Sequence, residues 1–346
     1  MSSQSHTNLA ETSASPKSRY AGAIWTLLVL APVIAEVLSG STRLSFIFVL
    51  IPEVMVWGAG ALLCREMVRR WQAAGTSLLL LGLALSIAEE FVIQQTSLAP
   101  LPFPGANAAY ARAWGVNWVY FLFMLGFESV WVVLVPVQTT ELIFPEHRAV
   151  PWLHRRGLIV TCVVFLIGCR IAWYGWTQQA LKRLNVAPYH PPATAFAAGG
   201  GAMVLLVILA WLLRGNRRRV SPERQALSPW LAAIAAFVLS AGWFHLMGLV
   251  FSPNPWWPAS RALVTGVAWA AAAFVLFTYL SASRSWNDIH RWAACSASIL
   301  AIMSVTFVGL AGWSRFDLVG KIVLNLLAVV GLILLGLRIR KSQTTS

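Results

Sequence analysis

Charge is what this sequence has least of. Of its 346 residues only 11% are Asp, Glu, Lys or Arg, while 58% are hydrophobic and the mean hydropathy is +0.69. A soluble domain carries roughly a quarter of charged residues, so a water-soluble fold is excluded. Cysteine is scarce too. Cys64, Cys162, Cys169 and Cys295 form no Cys-x-x-Cys pair and lie within or at the ends of apolar stretches. They read as small core residues, which removes both a disulfide framework and a cysteine metal set. There is no internal repeat and no low-complexity run.

What remains is an all-α polytopic transmembrane helix bundle. A span needs about 20 apolar residues, and ten stretches qualify: Tyr20 to Leu38, Leu44 to Leu63, Ala73 to Gln95, Asn117 to Val137, Gly157 to Trp176, Thr194 to Leu213, Ser228 to Phe251, Ala262 to Ala282, Ala293 to Gly312 and Leu318 to Leu337. Residues 1–19 read as a disordered cytoplasmic tail, 20–338 as one transmembrane domain and 339–346 as a second cytoplasmic tail.

The formal charge of +14 suggests nucleic acid only until the basic residues are located. They sit in short clusters between apolar spans, where they set topology and meet anionic headgroups. The lipid bilayer is therefore the expected partner, and nucleic acid is not. With Lys321 taken to the loop before the last span, the N-tail, the even-numbered loops and the C-tail hold 18 Lys/Arg and the odd-numbered loops 7, Arg170 lying inside the fifth span. That bias places both termini in the cytoplasm. Its strongest part is Arg214, Arg217, Arg218, Arg219 and Arg224, read as a solvated loop. On the other side, residues 96–116 carry Pro100, Pro102, Pro104 and Gly105 and read as a cover over a cavity. Trp256 and Trp257 mark the headgroup belt, and residues 178–185 a short interfacial helix.

The few charges inside the spans are the candidate site, because an ionisable group in lipid is costly and is kept for function. Ser86, Glu90 and Gln94 recur every fourth residue, a polar stripe on one helix face with Glu89 at its edge. At about 1.5 Å per residue, Glu36, Glu89, Glu90, Arg170 and His245 lie roughly 5 to 12 Å below the outer surface, and Glu53 and Glu128 roughly 12 to 17 Å. Pro32 precedes Glu36 and Pro52 precedes Glu53, and kinks beside carboxylates favour a cavity. Arg170 cannot lose its proton and is expected to pair with Glu89, Glu90, Glu128 or Glu53. His245 serves as a base, a ligand or a hydrogen-bonded interhelical residue. Several carboxylates against one arginine imply that some are protonated at neutral pH.

Residues 51–70 (IPEVMVWGAGALLCREMVRR), 136–145 (PVQTTELIFP) and 151–153 (PWL) resemble an uncharacterised family of bacterial multi-pass membrane proteins, which implies an inner-membrane location and supplies no activity. Glu89 and Glu90 are similar to the Glu-Glu-x-x-x-Arg signature of the CAAX-protease and bacteriocin-processing family of intramembrane metallohydrolases. Gln94 stands at that family's Arg, Glu128 where it has His, and Ala241 precedes His245 in place of Phe. No metal set is assigned, and neither cofactor nor substrate is named by the sequence.

The expected function is a glutamate-dependent intramembrane hydrolase using Glu89, Glu90, Glu128 and His245, with Glu36, Glu53, Gln94 and Arg170 as binding or ion-pair residues. The alternatives are a proton-coupled transporter or permease, whose usual paired halves and broken helices the sequence does not display, and a non-catalytic membrane partner.

Overall fold

The computed structural model describes residues 19–99, 109–183, 189–215, 225–308 and 312–344. Within them the chain forms ten long helices: α1 (Ala21–Val37), α2 (Leu44–Arg70), α3 (Gly75–Ile93), α4 (Trp118–Ile143), α5 (Arg155–Ala180), α6 (Ala193–Leu212), α7 (Pro229–Phe251), α8 (Ala259–Ser281), α9 (Asp288–Val305) and α10 (Arg315–Thr344). All but α1 and α9 are long and apolar enough to cross a membrane. In hydrocarbon every backbone N–H and C=O must be satisfied within the chain, so long apolar runs become helices. The one sheet among the described residues pairs Arg112–Ala113 with Val116–Asn117, antiparallel. The tail at residues 1–18, the prolines at 100, 102 and 104 and the arginines at 217, 218, 219 and 224 lie outside the described residues, as do the last two residues of the expected helix at 178–185; its earlier part is helical, continuing α5 through Ala180 and then Leu181–Arg183.

Local signals set the helix starts. Ser228 accepts a bond from the Leu231 N–H ahead of Pro229 at the first helical position, and Asn287 caps α9 in a reciprocal box with His290.

Burial separates an inner set from an outer one. The apolar windows of α3 and α4 are 72% and 56% buried, against 6%, 11%, 11% and 17% for α5, α6, α8 and α10. So α1 to α4 carry the centre, α9 is also largely buried, and α5, α6, α8 and α10 mostly face outward. α3 packs along α6 and against α4, α1 against α2 and α4, α5 against α2, and α7 along α9. Small residues permit the close crossings. Gly58 of α2 lies on the Leu28 carbonyl of α1, and Gly168 of α5 on Met55 of α2, where a Cβ would collide in both cases. Inside, Phe123, Phe127, Trp131 and Phe244 stack with ring centroids 5.4 to 6.2 Å apart.

Lys321 corrects the sequence reading. It belongs to α10 rather than to a loop, is buried, and donates to the Leu38 and Ser39 carbonyls at 2.8 and 2.9 Å and to Thr306 at 3.1 Å. A cation is thereby set on the carbonyls that follow α1, where it complements the helix dipole.

Candidate functional site: a carboxyl cluster at four π-turns

Each of the four central helices has a π-turn beside a glutamate, within α2 and α4 and as the last turn of α1 and α3. The turns are Val33–Val37, which holds Glu36; Val54–Gly58, which follows Glu53; Glu89–Ile93, which opens with Glu89 and Glu90; and Glu128–Leu134, which opens with Glu128. The bonds have π spacing: the Leu38 N–H reaches the Val33 carbonyl and the Gln94 N–H the Glu89 carbonyl, both at 2.9 Å. Such turns widen a helix and collect at functional sites. Pro32, Pro52 and Pro136 stand near three of them and remove backbone donors. α3 has no proline, so tertiary packing sets its turn.

The turns bring the carboxyl groups together. Glu128 lies close enough to Glu36, Glu89 and Glu90 for repulsion, as does Glu89 to Glu36 and Glu90, and Glu36 to Glu53. Tyr120 on α4 faces Glu90, Glu128 and Glu36. Glu53, Glu89, Glu90 and Glu128 are each at most 3% exposed, while Glu36 keeps part of its surface. Two carboxyls find hydroxyl donors. Thr42 donates to Glu53, and Glu90 Oε2 accepts from Thr96 at 2.8 Å and Ser97 at 2.5 Å. Glu53 Oε2, Glu90 Oε1 and both oxygens of Glu89 and of Glu128 have no donor among the described residues; the Ser86 hydroxyl lies beside Glu128 but donates to the Met124 carbonyl at 3.1 Å. Nor does any Lys, Arg or His make an ion pair with these five glutamates there.

The connection after α3 covers this cluster. Arg112 donates to the Leu98 and Ala99 carbonyls at 2.8 and 3.2 Å and to Asn117 Oδ1 at 2.8 Å. Asn117 donates back to Ala99 O at 2.7 Å, and its backbone N–H to Ser97 O at 2.8 Å. These bonds hold Thr96 and Ser97 over Glu90. Gly40, at φ 87°, makes the turn that returns the Thr42 N–H to the Glu36 carbonyl and so sets Thr42 against Glu53.

Two expected members are elsewhere. Arg170 is on the exposed face of α5, its guanidinium 4.4 Å from the Trp173 ring centroid and 5.9 Å from that of Tyr174. The expected pairing with a glutamate is replaced by cation–π stacking on the outer face of α5. His245 has its Nδ1 2.9 Å from the Gly242 carbonyl and its ring edge-on to Trp257 at 4.8 Å. Its hydrogen bond is thus within α7, and its ring contact is with the connection that follows that helix. Gln94 closes the α3 π-turn through its backbone. Among the described residues no three His, Cys, Asp or Glu side chains are arranged to hold a metal ion.

A second charged centre lies about 18 to 20 Å along the same helices, twelve residues beyond Glu53 and thirteen beyond Glu128. Glu141 takes Arg65 Nε at 3.2 Å and Arg69 on both oxygens at 2.5 and 2.6 Å, with Arg291 at 3.5 Å. Glu66 takes Arg65 at 3.1 Å and the N–H groups of Trp152 and Leu153 at 2.7 and 3.2 Å. Arg65 also lies 3.3 Å from the Trp152 ring centroid and donates to the carbonyls of His147, Arg148 and Val150. Here residues 51–70, 136–145 and 151–153 meet. The charge tally places Arg65 and Arg69 in the loop after the second span, and nothing in their spacing announces Glu66 and Glu141 as their partners.

A family model described as an uncharacterised membrane protein family matches residues 26–343. No curated protein and no solved structure matches the chain.

Proposed function

The chain belongs to an uncharacterised membrane protein family, and from that premise we propose that it is a proton-coupled transporter whose ion site is the carboxyl cluster of Glu36, Glu53, Glu89, Glu90 and Glu128. One observation carries the reading. Five carboxyl groups converge from four helices with no counter-cation among the described residues, so their charge is balanced by protons or another bound cation. Protons are the smallest such species, and carboxyl chains inside a membrane are the usual proton relays. The π-turns beside the carboxyls support this, since departures from regular α-helix next to an ion site are how transporters build one. The hydrolase reading leans on His245, which lies on Gly242 and Trp257 rather than beside the pair.

Glu89 and Glu128 are the central proton carriers, because all four of their carboxyl oxygens lack donors among the described residues. Glu90, with Thr96 and Ser97 on one oxygen, anchors the cover. The Arg65–Glu66–Glu141 centre closes the far end of α2 and α4. The chain works in a bacterial inner membrane with both termini cytoplasmic, as the loop charges favour.

The test is proton movement in liposomes loaded with a pH-sensitive dye, on addition of a panel of organic and inorganic solutes. The wild-type chain should couple at least one solute to a pH change, and Glu89→Gln and Glu128→Gln should each abolish the coupling. Unchanged coupling in both variants would overturn the assignment.

A further inference from the structure

α10 is pinned near its two ends and stands off between them. Near its start Asp317 accepts from the Ser45 N–H at 2.9 Å and from the Ser45 hydroxyl at 3.0 Å, and Lys321 reaches the carbonyls after α1. Near its end Trp292 of α9 donates to the Leu332 carbonyl at 2.8 Å, and Arg338 donates to the Ile143 carbonyl at 3.0 Å. Between these fastenings lies a groove of about 570 Å³ walled by α10, α1, α2, α4 and α9, with Thr139 the one polar residue in its wall among the described residues. Val33 and Val37, from the π-turn that carries Glu36, form part of that wall.

We propose that this groove binds one acyl chain of an anionic phospholipid, with the headgroup phosphate on Arg338. The groove runs along α10 from Leu324 to Leu335, a rise of about 16 Å, which is half of a hydrocarbon core of roughly 30 Å. It therefore has the length of one leaflet's tail. Its wall offers hydrocarbon and almost no hydrogen bonds, which suits a tail and excludes a polar solute. At its mouth Ile143 lines the groove, and the guanidinium bonded to its carbonyl remains exposed, followed by the exposed Arg340. One guanidinium N–H is used on the carbonyl, and the others can take phosphate oxygens. The far end is unsuited to a phosphate, because Asp317 is there and the Lys321 ammonium already has three acceptors.

Delipidated chain in detergent, titrated with phosphatidylglycerol or with phosphatidylcholine of identical tails, tests this through melting temperature and native mass spectrometry. Phosphatidylglycerol should raise the midpoint and remain bound at one per chain. Arg338→Gln should weaken it roughly fivefold, toward phosphatidylcholine, since a basic residue near the surface contributes about that factor, and Arg338→Lys should largely restore it. Gly331 is on the groove wall and a Cβ there meets open space. Gly331→Leu should thus fill the groove, keep the lipid-free midpoint and lose both lipids, with Ala328→Leu on the same wall as a second filling variant. Equal binding of the two lipids by the wild-type chain would overturn the headgroup assignment. Undiminished phosphatidylglycerol binding in both filling variants would overturn the groove.

Discussion

At the scale of single residues the two charged centres predict opposite responses to neutralisation. Glu89 and Glu128 have no partner to lose among the described residues, so Glu128→Gln should leave the melting temperature unchanged or raise it while proton coupling disappears. Arg65 is the reverse case, buried and bonded to Glu66, Glu141 and three carbonyls. Arg65→Leu should cost about 3–5 kcal/mol, because it removes one partner from a buried ion-pair network and leaves the His147, Arg148 and Val150 carbonyls without that donor, and chemical or thermal unfolding in detergent measures it. Arg170→Leu should change stability by well under that, since its guanidinium stacks on surface rings. The five glutamates were legible in the sequence because a carboxyl in an apolar run stands out. The contrast between the centres was not, because pairing depends on which helix faces are apposed, and one sequence does not specify lateral packing.

Among the elements, the helices were readable and their interruptions were not. The apolar lengths predicted ten spans, and ten helices stand at those places among the described residues. The π-turns depend on neighbours. In α3 no proline marks one, and the turn coincides with the packing of Phe91 on Gly199 of α6 and with Thr96 and Ser97 folding back on Glu90. The cover should therefore be sensitive to its fasteners. Asn117→Ala removes donors to Ala99 and Thr96, and it should speed proteolysis or hydrogen exchange at residues 96–99 with the bundle's melting temperature nearly unchanged. The start of α9 carries a pH response. Burial lowers the proton affinity of His290 from its ordinary value near 6.5, with the Leu227 carbonyl opposing that shift. A group held below its unfolded value binds more protons when unfolded, so its contribution is present above that value and is lost as pH falls through the folded one. The melting-temperature advantage of the wild-type chain over His290→Gln should shrink on acidification from pH 7 to about 5.

For the whole molecule, a central quartet of helices carries the cluster and six others shield it. The share of α3 and α4 buried, against that of α5, α6, α8 and α10, is the physical sign of this division, and the sequence had hinted at it by placing its intramembrane carboxyls in the first half. Sidedness follows from the loop charges, so reporter fusions at Gly105 and Asn216 should report opposite faces of the membrane. The central claim is that the cluster holds exchangeable protons within the membrane. Infrared spectroscopy of the reconstituted chain reads this directly, because a protonated carboxyl has a C=O band separate from amide and carboxylate. The account predicts such a band near neutral pH that shifts in heavy water and loses intensity in Glu89→Gln and in Glu128→Gln. A spectrum with no carboxylic-acid band, or one unaltered in both variants, would contradict it.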